Sequence, residues 1–334
     1  MPLNGRMTDL IGLSGGSTPA PGGDFTGSKY SYAAISVSIA GGNGNITQWR
    51  LDGGDNNDYM ANANLPFPFP DAVNQFSVES TALGARAGSH SGGLVNVVTR
   101  SGTNTYHGSA FNFLRNNYIN ATNFFSTSKD TLHQNQAGGT FGGKILKDKL
   151  FAFAGYQFSR TKSTQASSQA HAPTAANLKG DFSVSDPTQK LVNPITGAAL
   201  VNNQIDPTLF NLQALALVKY LPQATDVTGF ASYSIPTWTF IKQFVTRVDY
   251  TLNTKNDLYA RYFLDGYQAS AFFNPNNILV TTQPGNVERV QTFVIGEDFA
   301  FSSKTVNTFH ASMARRVDVR GPAPGITACT LGVQ

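Results

Sequence analysis

The segment from Phe240 to Tyr267 constrains this chain more than any other. Two apolar-rich runs, Phe240 to Leu252 and Asp257 to Tyr267, flank the polar turn Asn253 to Asn256. Side chains of a strand alternate between its two faces. In the first run Phe244, Val248, Tyr250 and Leu252 share one parity, and Gln243, Arg247 and Asp249 share the other. In the second, Leu258, Ala260, Tyr262 and Leu264 oppose Arg261 and Asp265. The pattern is a β-hairpin with one apolar and one ionisable face. Arg247, Asp249, Arg261 and Asp265 are expected on the ionisable side, paired with one another or with another part of the chain.

The format recurs. "YHGSAFNFLRN" reads as one strand, and "QAGGTFGGKI" and "LFAFAGYQFSRTK" flank a turn at Leu146 to Lys149. Val290 to Phe301 and Thr305 to Arg316 flank "SSK", although Glu297 and Asp298 blur the parity there. Between hairpins the connections are long. The longest, Ser163 to Thr239, is rich in Ser, Ala, Asn and Pro and holds one predicted helix, Leu212 to Leu221, stopped by Pro222. Short turns at one end and long loops at the other are the habit of outer-membrane barrels, which carry an apolar outer band and a polar lumen. Charged residues make up 13% of the chain, against about a quarter in soluble domains. A lipid-facing surface accounts for that deficit, since a charge at its midplane costs about 2–4 kcal/mol. Periodicity alone leaves a soluble antiparallel β-sandwich open as well.

Other classes fall away. No run approaches 18 consecutive apolar residues, so no transmembrane helix is expected. Met1 leads into "PLNGRMTDL" without a charged and then apolar leader, so no signal peptide is read in this chain. A net charge of +4, from scattered Lys and Arg, does not suggest nucleic acid as a partner. The single cysteine, Cys329, cannot form an internal disulfide.

Residues before Tyr106 have another texture. Leu3 to Leu13 reads as a weak helix, and "NQFSVES" and "GGLVNVVTR" as short strands of an α+β layer. Gly92 and Gly93 are expected to support a sharp turn into the strand that follows, Gly102 a second turn, and Asp71 a helical cap. "LDGGDNND" gathers Asp52, Asp55 and Asp58 with Asn56 and Asn57, an oxygen-rich loop of the kind that binds Ca²⁺. It fails the EF-hand spacing, with Asn57 at the sixth place and Ala63 at the twelfth, so a polar loop with Asx turns is preferred. His90, His107, His133, His171 and His310 lack the spacing of a helical zinc site. Lys144 in "FGGKI" has no following Ser or Thr, so it is no phosphate loop. Phe111, Phe113, Tyr118, Phe124 and Phe125 are read as a membrane-interface girdle in preference to a ligand-stacking platform. No cofactor, metal or catalytic constellation is expected, and the chain is not read as an enzyme.

"PLNGRMTDLIGL", "LDGGDNND" and "FPDAVNQFSVESTALGARAGSHSGGLVNVVTRSGTNTYHGSAFNFLRN" occur in an order and spacing that resemble the plug-to-barrel passage of TonB-dependent receptors, specifically the Oar-like branch. "NQAGGTFGGKILKDKLFAFAGYQFSR" resembles the first barrel hairpin of that branch. The resemblance implies a globular plug inside a 22-stranded outer-membrane barrel. Such a receptor imports an unidentified nutrient with energy relayed by a TonB-type protein of the inner membrane. Asp52, Asp55, Asn57, Gly92, Gly93 and Gly102 then belong to the structural plug motif, and Arg247, Asp249, Arg261 and Asp265 face the lumen.

The expected fold is therefore mostly β. Residues 1–105 form an α+β plug, incomplete at its N-terminus and without the coupling segment. Residues 106–334 form the N-terminal part of a transmembrane barrel, with a long external loop near 163–239. About seven strands fit, too few to close a barrel, so an open curved antiparallel sheet of a receptor fragment is expected. An outer-membrane adhesion protein using the barrel as an anchor, and a soluble β-sandwich binder, are the alternatives. A coupling segment upstream would favour transport over adhesion, and recovery in a soluble fraction without detergent would favour the sandwich.

Overall fold

In the computed structural model, residues 7–24, 35–59, 62–80, 84, 92–122, 129, 131–164, 168–184, 190–193, 195–224, 226–282 and 284–333 are described. His90, Phe124, Phe125 and the first residues of the expected N-terminal helix lie outside them.

Seven long strands build the larger sheet: β9 (His107–Asn116), β10 (His133–Leu146), β11 (Leu150–Thr164), β14 (Pro236–Asn253), β15 (Asn256–Ala269), β16 (Gly285–Ser302) and β17 (Thr305–Gly321). Their spatial order is β17-β16-β15-β14-β11-β10-β9, every pairing is antiparallel, and the sheet is not closed. These are the expected strands, extended at their ends. β14 runs for 18 residues, well past the roughly 9–11 that cross a bilayer. The turns at 147–149, 254–255 and 303–304 are short: Asp148 adopts a φ of 61°, Asn253 Oδ1 accepts from the Lys255 N–H at 2.9 Å, and Ser302 Oγ accepts from the Lys304 N–H at 3.2 Å.

Three smaller sheets precede it. β1 (Ser17–Asp24) pairs with β2 (Ile35–Ile39), and β5 (Asn57–Asp58) with β6 (Ala63–Asn64). A four-stranded mixed sheet has the order β4-β3-β8-β7, from β3 (Gln48–Leu51), β4 (Gly54–Asp55), β7 (Val73–Glu79) and β8 (Leu94–Thr99), with β3 and β8 parallel. Helical structure here takes the form of 3-10 turns, Met7–Leu13 and Pro70–Ala72. Asp71 lies within the second turn, and Phe69 at its N-cap makes no side-chain cap bond, so Asp71 is not the expected cap. Helix α1 (Leu212–Val218) sits in the long connection after β11, capped by Asn211, whose Oδ1 accepts from the Ala214 N–H at 3.0 Å. A short antiparallel pair, β12 (Ser168–His171) with β13 (Phe230–Tyr233), closes the base of that connection.

One hydrophobic core joins the two parts. Trp49, Leu51, Phe67, Phe69, Val95 and Val97 of the N-terminal layers pack with Phe153, Val245 and Phe263 of the long strands. Val245 and Phe263 share the parity of Arg247 and Arg261. The face read as ionisable is therefore mixed, with apolar residues where the N-terminal sheet rests and ionisable ones around them.

Glycines mark the closest approaches. A Cβ on Gly102 would fall on the carbonyl oxygens of Ala152 and Gly143, and one on Gly93 would strike Ile39. Gly92 would meet Ile46 in the same way. None of the three has a positive φ. Backbone or side chain passes against each of them, and Gly92 also lies in a bend of the chain just before β8.

Candidate functional site

β3 and β4 are joined by Asp52 and Gly53, with φ of 50° and 77°, and Leu51 pairs with Gly54. Positive φ at both central residues is the requirement of a two-residue type I′ turn, and Asp-Gly meets it with little strain. This turn points Asp52 into the interface with the long strands.

The Asp52 carboxylate is fully enclosed. Its Oδ1 accepts from the Thr99 N–H at 2.8 Å and from Arg247 Nη1 at 2.9 Å. Its Oδ2 accepts from Arg261 Nε at 3.1 Å, and the Thr99 hydroxyl reaches both oxygens at 3.0 Å. The Asp52 carbonyl accepts from the Tyr259 hydroxyl at 2.6 Å. Arg261 is 2% exposed, and its remaining donors reach the Leu51 carbonyl at 3.2 Å, the Thr292 carbonyl at 3.1 Å and the Thr292 hydroxyl. Arg247 also pairs with Asp249 at 2.8 Å and lies 4.7 Å over the Tyr259 ring. A guanidinium buried at this depth is tolerable only because nearly every donor is matched.

Gly296 makes room for Tyr259, since a Cβ there would overlap the phenol ring. Across the ring stands His310, with centroids 6.0 Å apart, and its imidazole lies where a Cβ on Gly53 would be 2.9 Å away.

A second anchor lies nearby. Arg316 on β17 reaches Asp58 at 3.3 Å, Glu288 at 2.8 Å and Asp318 at 3.1 Å. Both anchors use carboxylates of "LDGGDNND" and arginines of the long strands. Asp52 and Asp58 are thus taken up by guanidinium groups. Asp55 accepts instead from the Asn57 N–H at 3.2 Å and from the Tyr59 hydroxyl. That hydrogen bond, followed by burial, raises the Tyr59 pKa. Asn57 stitches the loop: its amide donates to the Thr47 carbonyl and to Asn62, both at 3.0 Å, and its oxygen accepts from the Trp49 N–H at 2.8 Å.

Sequence parity brought Arg247, Asp249, Arg261 and Asp265 to one face, but their partners differ from a simple cross-strand pairing. Asp265 is 2% exposed and accepts from Gln243 at 2.7 Å, while the same Gln243 amide donates to the Phe67 carbonyl at 3.1 Å. Missed by sequence reasoning were Tyr259, Thr99, Glu288 and Arg316. The Asp-Gly turn was the signal that locates Asp52, but nothing local marks its distant partners.

Two aromatics assigned to the girdle lie elsewhere. Phe113 pairs in register with the buried Gln136, which puts Phe111 and Phe113 on the covered face, where Phe111 packs on Phe69 at 5.8 Å. Tyr118 is exposed, beyond the end of β9.

The connection between β11 and β14 carries two open clefts. One of about 230 Å³ is lined by Pro173, Leu178, Phe182, Phe210, Leu215 and Val218 among others. The other, about 570 Å³, is bordered by Leu178, Val184, Val227, Asp181 and Asp226. Hydrogen bonds from the Ser183 and Thr228 hydroxyls hold the Asp181 and Asp226 carboxyls below the usual carboxylate range.

Residues 98–330 match the family model described as an outer membrane beta barrel domain. Over 163 residues the chain is 31% identical to the TonB-dependent transporter Oar of Myxococcus xanthus, a stretch covering 45% of this chain and 15% of Oar. The outer membrane transporter YddB from Escherichia coli superposes with a TM-score of 0.51 at 10% identity, covering 90% of this chain and 35% of YddB, a likeness of fold. The chain therefore spans well under half the length of these relatives. The similarity to TonB-dependent receptors of the Oar-like branch holds.

Proposed function

The chain belongs to the outer membrane β-barrel domain family, whose place is the outer membrane, and on that premise we propose that it supplies the plug and seven wall strands of a TonB-dependent transporter. Residues 1–105 are the plug and residues 106–334 the wall. Arg247, Asp249, Arg261 and Asp265 face the lumen, and further strands would close the barrel along the outer edges of β9 and β17. The transporter imports a nutrient that is captured from outside by its long loops, driven by a TonB-type partner.

The observation that carries this reading is the burial of the Asp52 carboxylate between Arg247 and Arg261. An N-terminal layer bound through charge to one face of a sheet, whose other face exposes Phe244, Val248, Phe293 and Met313, is a plug against a lipid-facing wall. A soluble sandwich would cover that apolar face with a second sheet.

The test is a cysteine-free full chain (Cys329→Ala), reconstituted in vesicles and labelled with a fluorophore at position 248 or 310. Nitroxide-bearing lipids are expected to quench the label at 248 and spare the one at 310. Equal quenching at both positions would contradict the assignment of faces.

A further inference from the structure

The connection between β11 and β14 has a framework of its own. Gly180 has a φ of 91°, a Cβ on it would fall on the Ile205 carbonyl oxygen, and the Ile205 N–H donates to the Gly180 carbonyl at 2.8 Å. The Phe182 N–H donates to the Asn203 carbonyl at 3.2 Å. These bonds fix the segment that presents Phe182 to the smaller cleft. Helix α1 presents Ala214, Leu215 and Val218 to the same cleft, the spacing of one helical face. Leu212 and Leu217 do not line it and are exposed.

The polar side chains of the smaller cleft are engaged internally. Asn177 Oδ1 accepts from the Thr174 N–H at 2.9 Å, and its Nδ2 donates to the Asp181 carbonyl at 3.1 Å. Asn211 Oδ1 caps the helix. What remains is an apolar slot of about 230 Å³. An apolar cavity of about 150 Å³ holds a benzene ring, so the slot has room for one phenyl or branched aliphatic group.

The larger cleft, of about 570 Å³, adjoins the slot and shares Pro173 and Leu178 as walls. Its charged lining is Asp181 and Asp226, with no lysine, arginine or histidine. Lys179, exposed on the 3-10 turn Asn177–Lys179, is not among its walls. Asp181 accepts from the Ser183 hydroxyl and N–H, and Asp226 from the Thr228 hydroxyl and N–H and the Phe230 N–H. Neither carboxylate is ion-paired among the described residues. The exposed Gln223 amide on the same wall makes no hydrogen bond among them.

An apolar slot beside a wall of uncompensated negative charge is complementary to a cation carried next to an apolar group. The two clefts have the size of ordinary ligand sites, about 300–1,000 Å³. That is more than a lone amine fills and enough for a few residues of peptide.

We propose that the two clefts bind a short peptide segment. A large apolar side chain sits among Phe182, Phe210 and Leu215, and the basic side chain beside it lies at Asp181 and Asp226. This deepens the reading of the connection as an external capture loop and rests on it for the side from which the peptide arrives.

The test uses the Cys329→Ala full chain folded in non-ionic micelles, with fluorescence anisotropy of a labelled, end-capped tetrapeptide that holds phenylalanine beside arginine. Matched peptides carry citrulline for arginine or glycine for phenylalanine, and empty micelles are the blank. At low salt the parent peptide is expected to bind about threefold or more tightly than either. Its margin over the citrulline peptide is expected to shrink in about 0.5 M salt. Asp181→Asn with Asp226→Asn keeps the turn-capping oxygens, and is expected to weaken the arginine peptide about threefold and leave the citrulline peptide unchanged. Ala214→Leu, which fills the slot, is expected to weaken both, and Leu212→Ala neither. Absence of saturable binding overturns the proposal. So does equal binding of the arginine and citrulline peptides, equal binding of the phenylalanine and glycine peptides, or binding that neither the paired Asn substitutions nor Ala214→Leu moves. These readings do not involve the labels at positions 248 and 310, so the peptide site can fail while the wall is placed correctly, and the reverse.

Discussion

Arg247 Nη1 stands 2.9 Å from the Oδ1 of Asp52, a residue 195 positions earlier in the chain. With Arg261 on the other carboxylate oxygen, this contact fixes where the N-terminal layers rest on the long strands. Removing one member of a buried ion pair leaves an uncompensated charge, at a cost of about 3–5 kcal/mol.

Asp52→Asn isolates that charge, because asparagine also tolerates the left-handed conformation of the turn. It is expected to speed amide exchange over residues 48–58 while β14 and β15 remain protected. Asp55→Asn, on the same loop but without an arginine partner in the interface, is expected to change stability by no more than about 0.5 kcal/mol. Identical exchange in Asp52→Asn and the parent would show that the pair does not hold the layers together.

A covalent test of the same docking is at hand. A Cβ on Gly54 would lie 2.9 Å from Ser312 Cβ, and disulfides form at Cβ separations of about 3.5–4.5 Å, reachable by a small relaxation. With Cys329 replaced by alanine, Gly54→Cys and Ser312→Cys together are expected to oxidise spontaneously, giving a mobility shift that reductant reverses. Persistent free thiols under mild oxidant would argue against the contact between β4 and β17.

Gly102 tests close approach against turn formation. A side chain there meets main-chain oxygens that cannot move aside, so Gly102→Ala is expected to cost about 1–3 kcal/mol. Gly12→Ala, where nothing lies within 4 Å, serves as the control and is expected to be nearly neutral. Denaturant midpoints of the two variants separate the outcomes.

Val248 is outward and five residues from the end of β14, near the middle of the apolar band. Val248→Arg is expected to weaken folding into vesicles by about 2–4 kcal/mol. Arg289→Lys, outward and 13 residues from the end of β16, is expected to have little effect. Similar losses for both would mean that the band has been placed at the wrong height.

The long connection should respond to acid. The Thr228 hydroxyl, with the main-chain N–H groups of Phe230, Thr228 and Gly229, holds Asp226 below its ordinary pKa. A group depressed in the folded state adds stability above its unfolded value of about 3.9, and that stability is lost as pH falls through the folded value. Amide exchange at Phe230 is thus expected to stay slow down to the ordinary carboxylate range and to rise below it. Asp226→Asn is expected to remove that acid-dependent rise.

Much of the wall was legible in the chain itself. Strand alternation is local, so Phe244 and Val248 announce an apolar face and Arg247 its opposite, whatever the rest of the molecule does. The turn at Leu146 to Lys149 and the helix from Leu212 were legible for the same reason. Phe111 and Phe113 were harder. An aromatic fits either a lipid interface or a packed core, and what placed them inward was the register of β9 on β10, which seats Phe113 beside Gln136.

The sequence by itself determined the strands, their parity and the Asp-Gly turn, because each depends on neighbours a few residues apart. Only the tertiary structure decided that Asp52 is held by Arg247 and Arg261, that Asp58 meets Arg316, and that Asp265 turns to Gln243. The ion pairs join residues 195 to 258 positions apart, and Asp265 meets Gln243 across neighbouring strands, 22 positions away. Coulombic attraction is blind to chain order, and a buried carboxylate takes whichever cation the packing of Val245, Phe263 and Phe69 brings within reach.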